Sequence, residues 1–183
     1  MNTVVCIGDS LTFGKNWANG SDLNQPLNIR LAQKYPGLSV VNLGINSNTS
    51  GDVNTRKADA DAYNPFRVIV WIGINDISAG TALATIQSNL ESIYNYYRVT
   101  KGYEVWAVTV TPCDSDTPAK NAVRNQLNNW IKTGMLNIDR VIDAWPVIRN
   151  SYKDSHRLPV YADPNTENHF NDAGLAAIVS LFP

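Results

Sequence analysis

Thr3-Val4-Val5-Cys6-Ile7-Gly8-Asp9-Ser10-Leu11-Thr12-Phe13-Gly14 is the stretch from which the rest of the chain is read. Its first half is a short apolar run rich in β-branched residues, the composition of a buried strand, and its second half is a polar turn. Ser10 therefore stands at a strand's carboxyl end. In an open parallel α/β sheet that edge is where ligands bind, and a helix starting just beyond it points backbone N–H groups into the same space. Two roles fit a serine so placed: a nucleophile or, together with Asp9, a plain cap on the following helix.

The pattern recurs outward from there. Leu38 to Leu43 is a second apolar run, followed by the polar loop Gly44-Ile45-Asn46-Ser47-Asn48-Thr49-Ser50-Gly51. Val68-Ile69-Val70-Trp71-Ile72 is the most continuous buried-strand signal and ends in Gly73-Ile74-Asn75-Asp76. Residues 104–110 and Val141-Ile142-Asp143 supply a fourth and a short fifth strand. Between them lie a helix opened by Pro26, a weak helical pattern near residues 53–62, and a stripe of Ile86, Leu90, Ile93 and Tyr97 within residues 82–97. Residues 118–131 and 172–181 read as two further helices. Strand and helix alternate throughout, which predicts a parallel sheet of about five strands covered on both faces. A chain of 183 residues fits one such domain, residues 1–183.

Fifteen basic against sixteen acidic residues, a net charge of −1, leave no polyanion-binding surface, so no nucleic-acid partner is expected. Cys6 and Cys113 are the two cysteines and read as buried thiols rather than a disulfide framework. No apolar run approaches membrane-spanning length and no signal-peptide pattern precedes the first strand. The expected location is cytoplasmic, or that of a mature secreted or virion-borne form.

If the turns after the first three strands share one edge, they gather Ser10, Gly44 and Asn75 around one crevice. Acyl transfer needs such a set: a hydroxyl nucleophile, a base for its proton, and donors aimed at the oxygen that becomes negative. Gly44 can offer a backbone N–H with no side chain in the way, Asn75 its amide NH₂, and Ser10 its own N–H. The base is sought between two histidines. His156 lies in the charged segment Lys153-Asp154-Ser155-His156-Arg157, which reads as a solvated loop; His169 directly precedes the last helix, where Asn171 or Asp172 is the natural cap. Histidines are too few and the cysteines wrongly spaced for a zinc site, and no metal or cofactor is expected. A second class of reading takes Asp9 and Asp76 as a phosphoacceptor site with Mg²⁺, although the exit of the fifth strand, Asp143-Ala144-Trp145-Pro146, lacks the lysine that such receivers share. A third is a non-catalytic carbohydrate-binding module. Asp9 reads first as a turn-stabilising acceptor, and Trp71 as core.

Gly8-Asp9-Ser10-Leu11, Gly44 in its Asn-Leu-Gly context, Gly73-Ile74-Asn75-Asp76, and His169 before a terminal helix together resemble the GDSL or SGNH hydrolases in four blocks, in order, across nearly the whole chain. The resemblance implies a flavodoxin-like three-layer α/β/α sandwich and hydrolysis of esters or thioesters. It makes Ser10 the nucleophile, Gly44 and Asn75 oxyanion donors with the Ser10 N–H, and His169 the general base. Family members usually carry Asp three residues before that histidine, where this chain has Thr166. Asp163 is the favoured acid, as though three residues were inserted between acid and base; Glu167 is the alternative, and a Ser–His dyad oriented by a backbone carbonyl the third. The loops at residues 15–25, with Trp17, and 44–54 are polar, which suits a small-molecule or glycan ester of short acyl length, such as an O-acetylated carbohydrate. Lysophospholipid or thioester hydrolysis is the runner-up. Oligomeric state is not legible.

Overall fold

The computed structural model describes residues 2–14, 25–133, 137–151 and 153–183. Residues 15–24, and with them Trp17, lie outside the described residues, as do the side chains of residues 153–155. Five strands, β1 (Asn2–Gly8), β2 (Leu38–Gly44), β3 (Arg67–Trp71), β4 (Glu104–Val108) and β5 (Arg140–Ile142), form one parallel sheet in the order β2-β1-β3-β4-β5. This is the flavodoxin-like order, and the α/β fold is the one expected. The central position of β1 explains its unbroken apolar run: Val4, Val5, Cys6 and Ile7 are all buried, with a strand on each side and packing on both faces. β2, at the sheet edge, is half-buried along almost its whole length.

The chain runs outward from β1 to β2 and then crosses back to β3, so the connections leaving β1 and β3 depart in opposite directions. At such a switch point an open α/β sheet places its crevice, at the carboxyl ends of those two neighbouring strands. Ser10 lies just past the end of β1, and Asn75 just past the end of β3.

A single helical turn, α1 (Ser10–Phe13), sits directly on the strand ends. Asp9 Oδ1 caps it by accepting from the Leu11 N–H (2.9 Å), and Gly14 ends it in the left-handed region. Thr12 Oγ1 donates to the Trp71 carbonyl (3.1 Å), while Asn42 Nδ2 donates to the Thr12 and Phe13 carbonyls (3.0 and 3.2 Å). Such an approach of backbone to backbone depends on two missing side chains. A Cβ on Gly8 would press into the Trp71 carbonyl and the Thr12 hydroxyl, and one on Gly44 into the backbone of Phe13.

The helices α2 (Leu27–Lys34), α5 (Leu83–Asn95), α6 (Pro118–Lys132) and α8 (Asp172–Ser180) lie close to their expected positions. Others differ. α3 (Ser50–Arg56) begins earlier than its apolar pattern, because Thr49 and Asp52 form a capping box, and it continues into a 3₁₀ stretch at Lys57–Tyr63. α4 (Ile74–Ala79) and α7 (Trp145–Ile148) are too short to leave a helical period in the sequence. The charged segment read as a solvated loop is a strand, β7 (Lys153–Arg157), paired antiparallel with β6 (Arg149–Asn150). Its last residue, Arg157, is buried because Asp114 and two loop carbonyls satisfy its guanidinium. Among the described residues no helix is long and apolar enough to cross a membrane.

The packing role of Gly44 is directly testable. Gly44→Ala must displace α1, and the expected loss is about 1–3 kcal/mol of unfolding free energy, read from urea denaturation; an unchanged midpoint would show that α1 does not rest on this strand end.

Candidate active site

Residues 159 apart in sequence meet at the crevice: Ser10 Oγ lies 2.7 Å from His169 Nε2, and both side chains are buried. α1 positions the serine. The histidine is carried by the segment ahead of α8, whose first turn is capped by Asn171 Oδ1 accepting from the Gly174 N–H (2.9 Å). Phe170, the next residue, stacks on Trp71 at the end of β3 with ring centroids 6.4 Å apart, which fixes the segment to the sheet. Trp71 is core, as expected.

The loop from Asp163 to His169 is closed at its base. Ala162 and Phe170 form an isolated antiparallel bridge, and the Asp163 N–H donates to the His169 carbonyl (3.0 Å). The residues between the two therefore form a small loop whose ends stay side by side. Asp163 is 1% exposed and receives the Asn165 N–H at Oδ1 (2.9 Å). Glu167 is exposed and presents its backbone carbonyl to the Asp114 N–H (2.7 Å). Thr166 accepts the backbone N–H of His169 at its hydroxyl (3.1 Å). Arg157, in an ion pair with Asp114 (2.9 Å), donates to the carbonyls of Thr166 and His169. Burial lowers the pKa of His169 to about 4; the charge of Asp163 works against this and that of Arg157 with it. The imidazole is thus neutral at pH 7, the form able to take a proton. His156, half-buried in β7, lines a cavity of about 350 Å³ with Asp114, Asp163 and Thr166 and makes no bond to Ser10.

On the opposite wall, Gly73 turns the chain from β3 into α4 with φ 123°, a conformation that suits glycine. Asn75 follows, half-buried, and one N–H of its amide donates to the Asn48 carbonyl (2.9 Å). Gly44 lies at the end of β2. Its N–H donates to Asn42 Oδ1 (2.9 Å), and its lack of a side chain serves the seating of α1. In the turn that follows, the Ile45 N–H donates to the Gly8 carbonyl (3.1 Å) and the Asn48 N–H to the Ile45 carbonyl (3.2 Å). Among the described residues the N–H groups of Asn46 and Ser47 take no backbone acceptor, and Ser47 holds a left-handed φ of 64°.

The two acids of the phosphoacceptor reading are both buried. Asp76 accepts from the Ser50 N–H (2.8 Å) and Ser50 Oγ (2.7 Å), one at each carboxylate oxygen, and so ties the start of α3 to that of α4. Asp9 caps α1, and burial raises its pKa to about 7. Neither carboxylate opens onto the crevice, so the pair is not placed to share a cation with a ligand.

The family model of the GDSL-like lipase/acylhydrolase family matches residues 6–177. Among solved structures, the chain is similar to a protein assigned to the lipolytic G-D-S-L family from Desulfitobacterium hafniense, with 24% identity, a TM-score of 0.81, and coverage of 99% of this chain and 97% of that one. It is similar also to the lipase/acylhydrolase from Enterococcus faecalis (22% identity, TM-score 0.76, 99% and 93% covered). A third is the psychrotrophic esterase EstA from Pseudoalteromonas sp., in a structure inhibited by monoethylphosphonate (18%, 0.72, 99% and 94%). At these identities the three likenesses speak for the fold. No curated protein gives a match.

The buried neutral imidazole carries its own pH signature. Because His169 binds a proton less readily folded (about 4) than unfolded (ordinary value 6.5), the unfolded chain holds more protons between those values, and stability falls as pH drops through that window. NMR titration of the His169 ring is expected to show a midpoint near 4. A midpoint at or above the unfolded value would mean that burial does not set the proton affinity of the ring and that the Asp163 charge or solvent does.

Proposed function

This chain belongs to the GDSL-like lipase/acylhydrolase family and is a carboxylic ester hydrolase, and from that premise we propose that it works through an acyl-enzyme on Ser10, with His169 as general base and Asp163 as the acid that stabilises the imidazolium. The observation that carries the reading is the 2.7 Å separation of Ser10 Oγ and His169 Nε2. His169 Nε2 accepts the hydroxyl proton as Ser10 Oγ attacks the ester carbonyl. The tetrahedral intermediate collapses, the alcohol leaves with the proton from His169, and water enters by the same route to release the acid. A base with so low a pKa is a weak one, and the Asp163 charge counts most at the moment the ring becomes positive.

The oxyanion faces the Ser10 N–H and the second N–H of the Asn75 amide, the first being held by Asn48. Because the Gly44 N–H is engaged by Asn42, the third donor comes from the turn beyond it, at Asn46 or Ser47. Each donor is worth about 10²–10³ in kcat. Asp163 is preferred to Glu167 because its carboxylate is buried and acts on the ring electrostatically, whereas Glu167 faces solvent. The substrate is a short-acyl ester, with O-acetylated carbohydrate the favoured class. Exposed Asn46 and Ser47 beside the crevice support a polar alcohol, and the exposed Ile45 next to them is the single apolar residue of that turn.

Ser10→Ala is expected to abolish hydrolysis of a chromogenic acetyl ester and also covalent labelling by a phosphonate, the class of inhibitor seen in EstA; turnover surviving in that variant would defeat the assignment. Asp163→Asn is expected to lower kcat by orders of magnitude and Glu167→Gln to change it little. The reverse ranking would transfer the acid role to Glu167. A panel of acyl lengths and acetylated glycans is expected to peak at acetyl; a maximum at long acyl chains or thioesters would favour the lysophospholipase or thioesterase alternative.

A further inference from the structure

We propose that Arg56 is a positioning residue for the oxyanion donors, holding the turn at residues 45–48 and, through Asn48, the amide of Asn75. The inference rests on the acyl-enzyme reading above and assigns its geometry to a side chain outside the reacting groups.

Arg56 is the last residue of α3, and its guanidinium reaches back to the sheet. Nε donates to Asn48 Oδ1 (2.7 Å) and Nη2 to the Gly8 carbonyl (2.9 Å). The Gly8 carbonyl also accepts the Ile45 N–H, so one oxygen at the end of β1 anchors both the start of the turn and the arginine that grips its end. Asn48 is held at its side chain by Arg56, and its own carbonyl takes the Asn75 amide N–H. That bond decides where the other amide hydrogen points. The same turn carries Ser47 at φ 64°, a conformation that a non-glycine residue keeps only where its surroundings enforce it.

Two features argue for more than packing. The planar fork puts two separate nitrogens, Nε and Nη2, on acceptors of two different segments, a spacing that the single nitrogen of a lysine does not reproduce. Among the described residues, no carboxylate forms an ion pair with Arg56, although burial lowers its proton affinity. The charges of Asp59 and Asp52 favour its cationic form, and this half-buried guanidinium, one hydrogen bond from the strand that leads into Ser10, adds positive potential where the substrate oxygen becomes negative. The opposite end of α3 is held by Asp76 through Ser50, so the helix is tied to the sheet's carboxyl edge at both termini.

The test compares Arg56→Met, Arg56→Lys and Asn48→Ala with the parent chain on one acetyl ester, in parallel with thermal unfolding. Arg56→Met is expected to lower kcat about 10- to 100-fold with KM within about twofold, Arg56→Lys to recover part of the loss, and Asn48→Ala to resemble Arg56→Met. In an Asn75→Ala background, Arg56→Met is expected to cost less than about threefold more, because the group it positions is gone. Full multiplication of the two losses, an unchanged kcat in folded Arg56→Met, or a fall in kcat matching the unfolded fraction would each overturn the proposal. If Arg56→Met does not fold, the Lys and Asn48 variants decide by the same criteria. An inactive Ser10→Ala beside an unimpaired Arg56→Met removes this inference alone, whereas an active Ser10→Ala removes the acyl-enzyme reading as well.

Discussion

The contact between Ser10 and His169 constrains everything around it. One partner is carried by the first turn after the first strand, the other by the last loop before the last helix, and neither has a local reason to find the other. The sheet order solves the problem by placing β1 at the centre, next to β3, so that the loop anchored by Phe170 on Trp71 arrives over the serine. α1 then has to lie within backbone contact of the strand ends, which is why Gly8 and Gly44 carry no side chains. A hydroxyl held this rigidly loses little further freedom when it reacts, which is the physical value of the arrangement.

Electrostatically the site is a set of buried polar groups, several held by specific neighbours, although Asp9 Oδ2 and Trp71 Nε1 make no hydrogen bond among the described residues. Asp76 uses both oxygens on Ser50, Asn42 serves three backbone groups at the junction of α1 and β2, and Arg157 gathers two carbonyls of the histidine loop. Removing a partner from any of them would strand a buried polar atom, so the network resists partial opening. Burial drives Asp9 and His169 in the directions that favour their neutral forms. The charges of Asp163 and Arg157 oppose each other at the imidazole, and the Arg56 guanidinium lies beyond the serine at the end of α3.

The strands and the placement of Ser10, Asn75 and His169 were legible because each stands beside a strong local signal: a continuous apolar run, or a helix cap after a polar stretch. Gly44 shows where such reading stops. A missing Cβ serves equally to bare an N–H or to admit a neighbouring backbone, and only the positions of Phe13 and Asn42 separate the two. Arg56 and Arg157 were invisible for another reason. Their acceptors are backbone carbonyls and side chains remote in sequence, such as Gly8 for the first and Asp114 for the second, so in one dimension they look like solvated charge. The capping box at Thr49 and Asp52 was readable in principle, since the residue types and spacing are present, but the apolar pattern drew the helix start too late.

The bridge between Ala162 and Phe170 bears on how such chains vary. Because that pairing, and the bond from the Asp163 N–H to the His169 carbonyl, hold the ends of the loop together, the nearness of residues 163 and 169 is set by the rung rather than by the number of residues between them. Counting residues back from His169 is then a poor guide to what lies beside it. A better one is to ask which side chain stands across the rung, and a scaffold built on that rung would tolerate a grafted segment at the tip.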